Sequence, residues 1–175
     1  MKKIAIIGSG GTGKSTLAKE LGQILNLPVY HLDSFFWKSG WIQMDESDFD
    51  HILKSLIVED KWIIDGNYQR TMDMRFHEAD TIIYLDYSTY ISLFRVIKRR
   101  IKYHGKTRPD MGIGCNEKID LEFINWILNY RKNKRPKYLE KLSKLKDSKT
   151  VQIFKSPREL KDYLTQLKKE SITNI

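Results

Sequence analysis

The apolar run Ile4-Ala5-Ile6-Ile7 leads directly into Gly8-Ser9-Gly10-Gly11-Thr12-Gly13-Lys14-Ser15, and a helical pattern follows from Ser15 to about Leu25. A short apolar run stopped by glycine reads as a strand buried on both faces. The glycine-rich segment satisfies G-x-x-x-x-G-K-[ST] in the setting that gives the motif its meaning, after a strand and before a helix. Glycines let backbone amides turn inward around phosphate oxygens, and the start of the helix adds its dipole. Lys14 is then placed to reach the outer phosphates and the Ser15 hydroxyl to ligate Mg²⁺. Gly8, Ser9, Gly10, Gly11, Thr12, Gly13, Lys14, Ser15 and Thr16 are therefore the expected binding segment for ATP with Mg²⁺. Gly8, Gly10 and Gly13 also satisfy G-x-G-x-x-G, with Asp33 twenty residues past Gly13, so a dinucleotide site is formally available. Lys14-Ser15-Thr16 has no task in that motif and would set a charge where the helix packs on the sheet. The phosphate loop is the better reading.

The rest of the chain repeats the alternation. Pro28-Val29-Tyr30-His31-Leu32, Trp62-Ile63-Ile64, Thr81-Ile82-Ile83-Tyr84-Leu85 and Val151-Gln152-Ile153-Phe154 are further short apolar runs. Between them, helical spacing recurs in Phe49, Ile52, Leu53, Leu56 and Ile57, behind a start rich in capping and acidic residues at Asp45, Ser47 and Asp48. Ser88 can cap the next helix, whose expected buried stripe is Ile91, Phe94, Ile97 and Ile101. Another helix runs from Asp120 through Phe123, Ile124, Ile127 and Tyr130 until Pro136 ends or kinks it. Tyr138, Leu139, Leu142 and Leu145 continue beyond, and Pro157 opens the last helix at its first turn. Gly105, Pro109, Gly112 and Gly114 break the pattern between His104 and Lys118, which reads as a mobile loop.

Parallel strands need crossover helices. The expected fold is therefore α/β, a three-layer sandwich with a five-stranded parallel sheet, helices on both faces and a small lid, all within the single domain that 175 residues allow. Ligands of such sheets bind beyond the carboxyl ends of the strands, where Gly8, Asp33, Asp65, Asp86 and Lys155 stand.

Charge is distributed unevenly. Residues 95–149 hold seventeen Lys and Arg against six Asp and Glu, so the formal net charge of +9 belongs to that segment. Arginines gathered around a polyphosphate, a nucleic-acid face or a solvated helix surface would each produce it. Cys115 is the only cysteine, which excludes an intramolecular disulfide and a multi-cysteine zinc lid and fits a reducing cytoplasm. No stretch approaches the roughly 20 apolar residues of a membrane span. Gly8 cuts the first apolar run too short for a signal peptide.

Two carboxylates and a set of arginines carry candidate chemistry. Asp65, in Trp62-Ile63-Ile64-Asp65-Gly66, can hold Mg²⁺ through water, or can simply form an Asp-Gly turn. Asp33, beside Ser34, Phe35, Phe36, Trp37 and Trp41, can take a proton from a hydroxyl acceptor or orient it, or can cap a helix next to a hydrophobic cluster. Phosphoryl transfer depends on cations near the migrating group. Arg70, Arg95, Arg99 and Arg131 are the expected ones, with Arg100, Arg108 and Arg135 in the same basic segment. His31, His51, His77 and His104 lack metal-ligand spacing and read as structural.

Gly8 to Thr16, Ile64-Asp65-Gly66, Ile82-Ile83-Tyr84-Leu85-Asp86 and the arginines that follow resemble adenylate kinases. His31-Leu32-Asp33, Trp37, Trp41, Asp65-Gly66-Asn67-Tyr68, Lys106-Thr107-Arg108-Pro109-Asp110-Met111 and Gly112-Ile113-Gly114-Cys115 resemble the adenylate-kinase-related group of DNA topology modulation proteins, across most of the chain. The resemblance implies a nucleotide-kinase-like fold with an acceptor region at about 33–59 and a lid at about 104–118. It also implies that Lys155-Ser156-Pro157 lies near the adenine. Asn67-Tyr68-Gln69-Arg70 stands where adenylate kinases carry Phe-Pro-Arg. The expected function is an ATP- and Mg²⁺-dependent phosphotransferase for a small molecule or nucleotide, with Lys14, Asp33, Arg70, Arg95, Arg99 and Arg131 catalytic and Ser15 and Asp65 at the metal. The alternative is a nucleotide-binding, DNA-associated regulatory protein without phosphotransfer.

Overall fold

The first apolar run forms β1 (Lys3–Gly8), buried from Ile4 onward, as a strand with no polar face must be. The structure, a computed structural model, describes residues 1–173. β1 lies between β5 (Trp62–Asp65) and β6 (Thr81–Leu85), parallel to both. β2 (Val29–His31) pairs outside β5 and β7 (Thr150–Phe154) outside β6, giving the all-parallel order β2-β5-β1-β6-β7. Register sets Ile6 and His31 on either side of Asp65, so the ends of three strands meet at one edge.

Alternate residues of β1 serve two cores. Ile4 and Ile6 pack with Leu17, Ala18 and Leu21 of α1 (Lys14–Leu25) and with Leu164 and Leu167 of α8 (Pro157–Thr173). Ala5 and Ile7 face a larger cluster built from α3 (Glu46–Ile57), α4 (Met72–Glu78), α6 (Leu121–Asn133) and α7 (Arg135–Leu145). The expected caps form at Asp45, Ser88 and Asp120, each accepting a hydrogen bond from an amide of the following first turn. Pro136 falls in the first turn of α7, and α6 ends just before it. Among the described residues no helix is long and apolar enough to cross a membrane.

Two expectations need correction. In α5 (Thr89–Lys102) the buried residues are Ser92 and Val96, while Phe94, Ile97 and Ile101 of the anticipated stripe are exposed. The cause lies in the glycine loop: a Cβ on Gly11, which sits at φ +78, would stand 2.3 Å from the Ser92 carbonyl oxygen. The helix therefore turns its small face to the loop and leaves the apolar arc outside.

The segment read as a mobile loop, 104–118, is docked. A short helix, α2 (Leu32–Phe36), leads into a two-stranded hairpin of β3 (Trp37–Lys38) and β4 (Ile42–Gln43) that the hydrophobic pattern did not reveal. The lid lies against that hairpin. Gly40 N donates to Gly114 O at 3.2 Å, Trp41 Nε1 donates to Asn116 O at 2.9 Å, and the Cys115 thiol donates to Lys38 O at 3.1 Å. Gly112 approaches so closely that a Cβ would fall 2.0 Å from Trp37 O.

Arg75 of α4 is fully buried and supports the loop that leaves β5, donating to Gly66 O at 2.8 Å and Tyr68 O at 3.0 Å. Burial pulls its pKa down to about 10. Arg75→Met would strand both carbonyls. We expect a loss of about 3 kcal/mol, given the cost of removing hydrogen bonds to a charged donor, measured as a lower urea midpoint with an unchanged slope.

Candidate active site

Where β1 ends, the Asn67 side chain clasps the Gly8 residue at two points. Gly8 N donates to Asn67 Oδ1 at 3.0 Å, and Asn67 Nδ2 donates to Gly8 O at 2.5 Å. The Thr12 hydroxyl donates to Ser9 O at 2.8 Å, and Arg95 Nη1 reaches Thr12 O at 2.8 Å while its guanidinium stands over the Tyr87 ring. Lys14 Nζ lies over the loop, donating to Gly8 O at 3.0 Å and Ser9 O at 3.1 Å. Burial lowers the Lys14 pKa, and the charges of Asp33 and Asp65 oppose that shift. Lys14 thus shares the cleft with two carboxylates whose charges act on it.

Asp65 is 4% exposed and accepts a hydrogen bond from His31 Nδ1 at 2.7 Å. Burial alone would depress the His31 pKa, but its bond to Asp65 outweighs that and raises it. Asp33 accepts from the Tyr68 hydroxyl at 2.8 Å. Desolvation pushes its carboxyl pKa up, against the pull of Lys14 and Tyr68. From the lid, Glu117 is 3% exposed and holds two arginines, Arg99 Nε at 2.7 Å and Arg108 Nε at 2.7 Å. Arg108 Nη1 also donates to Asp110 at 2.8 Å. Burial and the neighbouring Arg108 lower the Arg99 pKa.

Lys14, Asp33, Asp65, Asn67, Tyr68, Arg95, Arg99, Arg108 and Asp110 line one cleft of about 1400 Å³. Of the residues expected from sequence, Gly10, Gly11, Thr12, Gly13, Lys14, Ser15, Thr16, Asp33, Asp65, Arg95, Arg99 and Pro157 line it. Gly8 and Ser9 form the back of the loop, in contact with Asn67 and Thr12. The remaining four stand elsewhere. Arg70 is held by Asp50 and the Glu46 carbonyl of α3, on the surface. Arg131 donates to Tyr87 O at 3.1 Å and lies 3.6 Å from Asp86, whose two oxygens Arg135 Nε bonds at 2.8 and 2.9 Å. The Lys155 amide is caught by Glu159, and the Ser156 hydroxyl by the Glu159 amide, as the start of α8 is capped.

Sequence reasoning assigned no site role to Asn67, Tyr68, Asp110 and Glu117, read His31 as structural, and named Arg108 only among the arginines of the basic segment. His31 was legible in principle, since parallel strands ending at His31 and Asp65 set the two side by side. Asn67 and Tyr68 follow Asp65-Gly66 directly, in a turn whose backbone the sequence does not specify.

No protein-family model matches the chain, and no curated protein matches it in sequence. Solved structures match its fold over almost the whole length. Shikimate kinase from Acinetobacter baumannii in complex with shikimate gives a TM-score of 0.62 at 17% identity, covering 99% of this chain and 94% of that one. The fold is that of a P-loop kinase. Shikimate kinase from Bacteroides thetaiotaomicron gives 0.57 at 18% identity, covering 95% of this chain and 96% of that one. A gluconokinase from Sinorhizobium meliloti 1021 gives 0.52 at 14%, covering 98% and 90%. At such identities the likeness is one of fold, and what the cleft binds must be argued from this chain's own side chains.

The His31–Asp65 pair has a pH signature. Because the folded His31 pKa is raised above the ordinary 6.5, its contribution to stability is fully present below about pH 6.5 and is lost as pH rises through the folded value. Denaturant unfolding of the wild type and His31→Asn across pH should show the widest gap on the acid side of that window, closing above it.

Proposed function

We propose that the chain is an ATP- and Mg²⁺-dependent phosphotransferase that delivers the γ-phosphoryl group to a small acceptor bound beside Asp33. The observation that carries this reading is the convergence of Lys14, Asp33 and Asp65 on one cleft with the glycine loop. A Gly-rich turn with an incidental lysine would not gather two carboxylates around that lysine.

The donor set suits a hard cation. Ser15 offers a hydroxyl and Asp65 a carboxylate in the same cleft, and both are oxygen ligands of the type Mg²⁺ takes. Among the described residues no group of three or more His, Cys, Asp or Glu is placed to hold a metal, in keeping with an ion that retains water and leans on substrate phosphates. When bound, Mg²⁺ neutralises charge on the transferring phosphates. Loop amides from Gly10 to Thr16 receive the polyphosphate. Lys14 Nζ, satisfied here by the Gly8 and Ser9 carbonyls, exchanges them for phosphate oxygens. Arg95, Arg99 and Arg108 line the cleft and supply positive charge to the migrating group.

At the acceptor end, Trp37, Trp41 and Tyr68 wall the space around Asp33. A carboxylate whose pKa is raised by burial is the better base for a hydroxyl proton, and Tyr68 fixes its orientation. The nucleic-acid alternative rested on the basic segment. Five of its seventeen cations are engaged by the protein itself, with Arg95 on Thr12 O, Arg99 and Arg108 on Glu117, Arg135 on Asp86 and Lys149 on the Ala79 carbonyl.

The test is an ATP-consumption screen with Mg²⁺ over nucleosides, nucleotides, sugar acids and small alcohols. With an acceptor in hand, Lys14→Ala should lower turnover at least about a hundredfold, and Asp33→Asn should lower kcat about a hundredfold while leaving ADP affinity within a factor of two. Wild-type ADP affinity and turnover in Lys14→Ala would overturn the reading.

A further inference from the structure

The apolar arc that α5 leaves outside has an order of its own. Tyr90, Phe94, Ile97 and Ile101 follow one another at spacings of four, three and four residues. On a helix turning about 100° per residue they fall within a stripe roughly 60° wide, on the side away from buried Ser92 and Val96. All four are exposed, Tyr90 at 85% and Ile101 at 75%. Helix α6 runs back alongside, with Phe123 under the Arg99 guanidinium and Arg131 on the Tyr87 carbonyl, and adds exposed Leu121 and Leu128. The four α5 side chains expose roughly 550 Å², near the top of what a monomer's largest apolar patch usually reaches. With the two leucines the surface comes to roughly 800 Å², what each partner of a standard interface buries.

We propose that this face pairs with its equivalent on a second copy of the chain, α5 against α5, antiparallel about a two-fold axis. The four-three-four spacing reads the same in both directions. Antiparallel self-pairing therefore sets Tyr90 of each copy against Ile101 of the other, and Phe94 against Ile97. Each layer joins an aromatic ring to a branched aliphatic side chain, so none is crowded by two rings. A stripe confined to this spacing has the width of a seam between two helices, whereas the face a helix turns to a core is broader.

Charge selects the orientation and the occupant. α5 contains no Asp or Glu, and its cations gather in the second half, at Lys98, Arg99, Arg100 and Lys102. Between Thr89 and Val96 the only charged residue is Arg95, which is turned inward onto Thr12 O. Parallel pairing would line the Lys98, Arg100 and Lys102 of both copies along one seam, and like charges so placed repel. Antiparallel pairing sets them beside the uncharged half of the other helix. The face of α5 that meets Gly11 is untouched by the contact, and the helix that carries Arg95 and Arg99 to the cleft is braced from behind.

The experiment is sedimentation velocity of the full chain over a series of protein concentrations. The wild type should pass from monomer to dimer as concentration rises. Phe94→Lys and Ile97→Asp, opposite in charge and both at exposed positions, should each weaken the dimer at least about thirtyfold, since a central contact is lost twice across a two-fold axis. Both should keep the far-UV spectrum of the wild type. In an oxidised mixture of Phe94→Cys and Ile97→Cys, whose own Cys115 is buried, the disulfide between positions 94 and 97 should form ahead of either symmetric one. That mixture decides alone if a charged variant fails to fold. A wild type that is monomeric at every concentration, a dimer indifferent to both charged substitutions, or a faster bond between two copies of position 94 would overturn the proposal. So would a monomeric wild type that sediments with vesicles of anionic phospholipid, which would assign the stripe and its lysines to a lipid surface.

Discussion

The grip of Asn67 on Gly8 ties together parts of the molecule that the chain keeps far apart. A glycine-rich loop at the end of a buried strand has little of its own to hold its shape, since each glycine adds conformational freedom that folding must remove. Here the loop's first residue is fixed at both its amide and its carbonyl by a side chain leaving the adjacent strand. Arg75 pins the backbone on either side of that side chain, at Gly66 and Tyr68, and Tyr68 in turn steadies Asp33. Three consecutive residues, Gly66 to Tyr68, so connect the glycine loop to Asp33 across the cleft.

The lid supplies a second connection through charge. Glu117 is buried between Arg99 of α5 and Arg108 of the lid, and Arg108 reaches on to Asp110. Such a chain is stable only when every member has its partners, because a lone buried charge is expensive. The lid's charges therefore act as a set. Moving the lid away from α5 would leave Glu117 with Arg108 alone and Arg99 without its carboxylate.

Much of the architecture was readable because strands buried on both faces reveal themselves as unbroken apolar runs, and five such runs alternate with helical spacing. The glycine loop was readable for a different reason, that its motif is contiguous in the chain. What escaped depends on contacts between distant segments. The α5 pattern showed an apolar arc but not which arc would meet the loop, and Ser92 won because Gly11 needs a small neighbour. Arg70 and Arg131 pair with Asp50 and Asp86, contacts between distant segments that sequence alone does not show. The docked lid is held largely by carbonyls and amides, which no composition betrays.

Three of the four tryptophans, Trp37, Trp41 and Trp126, border the cleft, and the fourth, Trp62, lies in the core. Indole emission is sensitive to the polarity and charge of its surroundings. The unlabelled protein thus contains its own optical gauge of cleft occupancy, with Trp62 as a largely constant background against which the other three change.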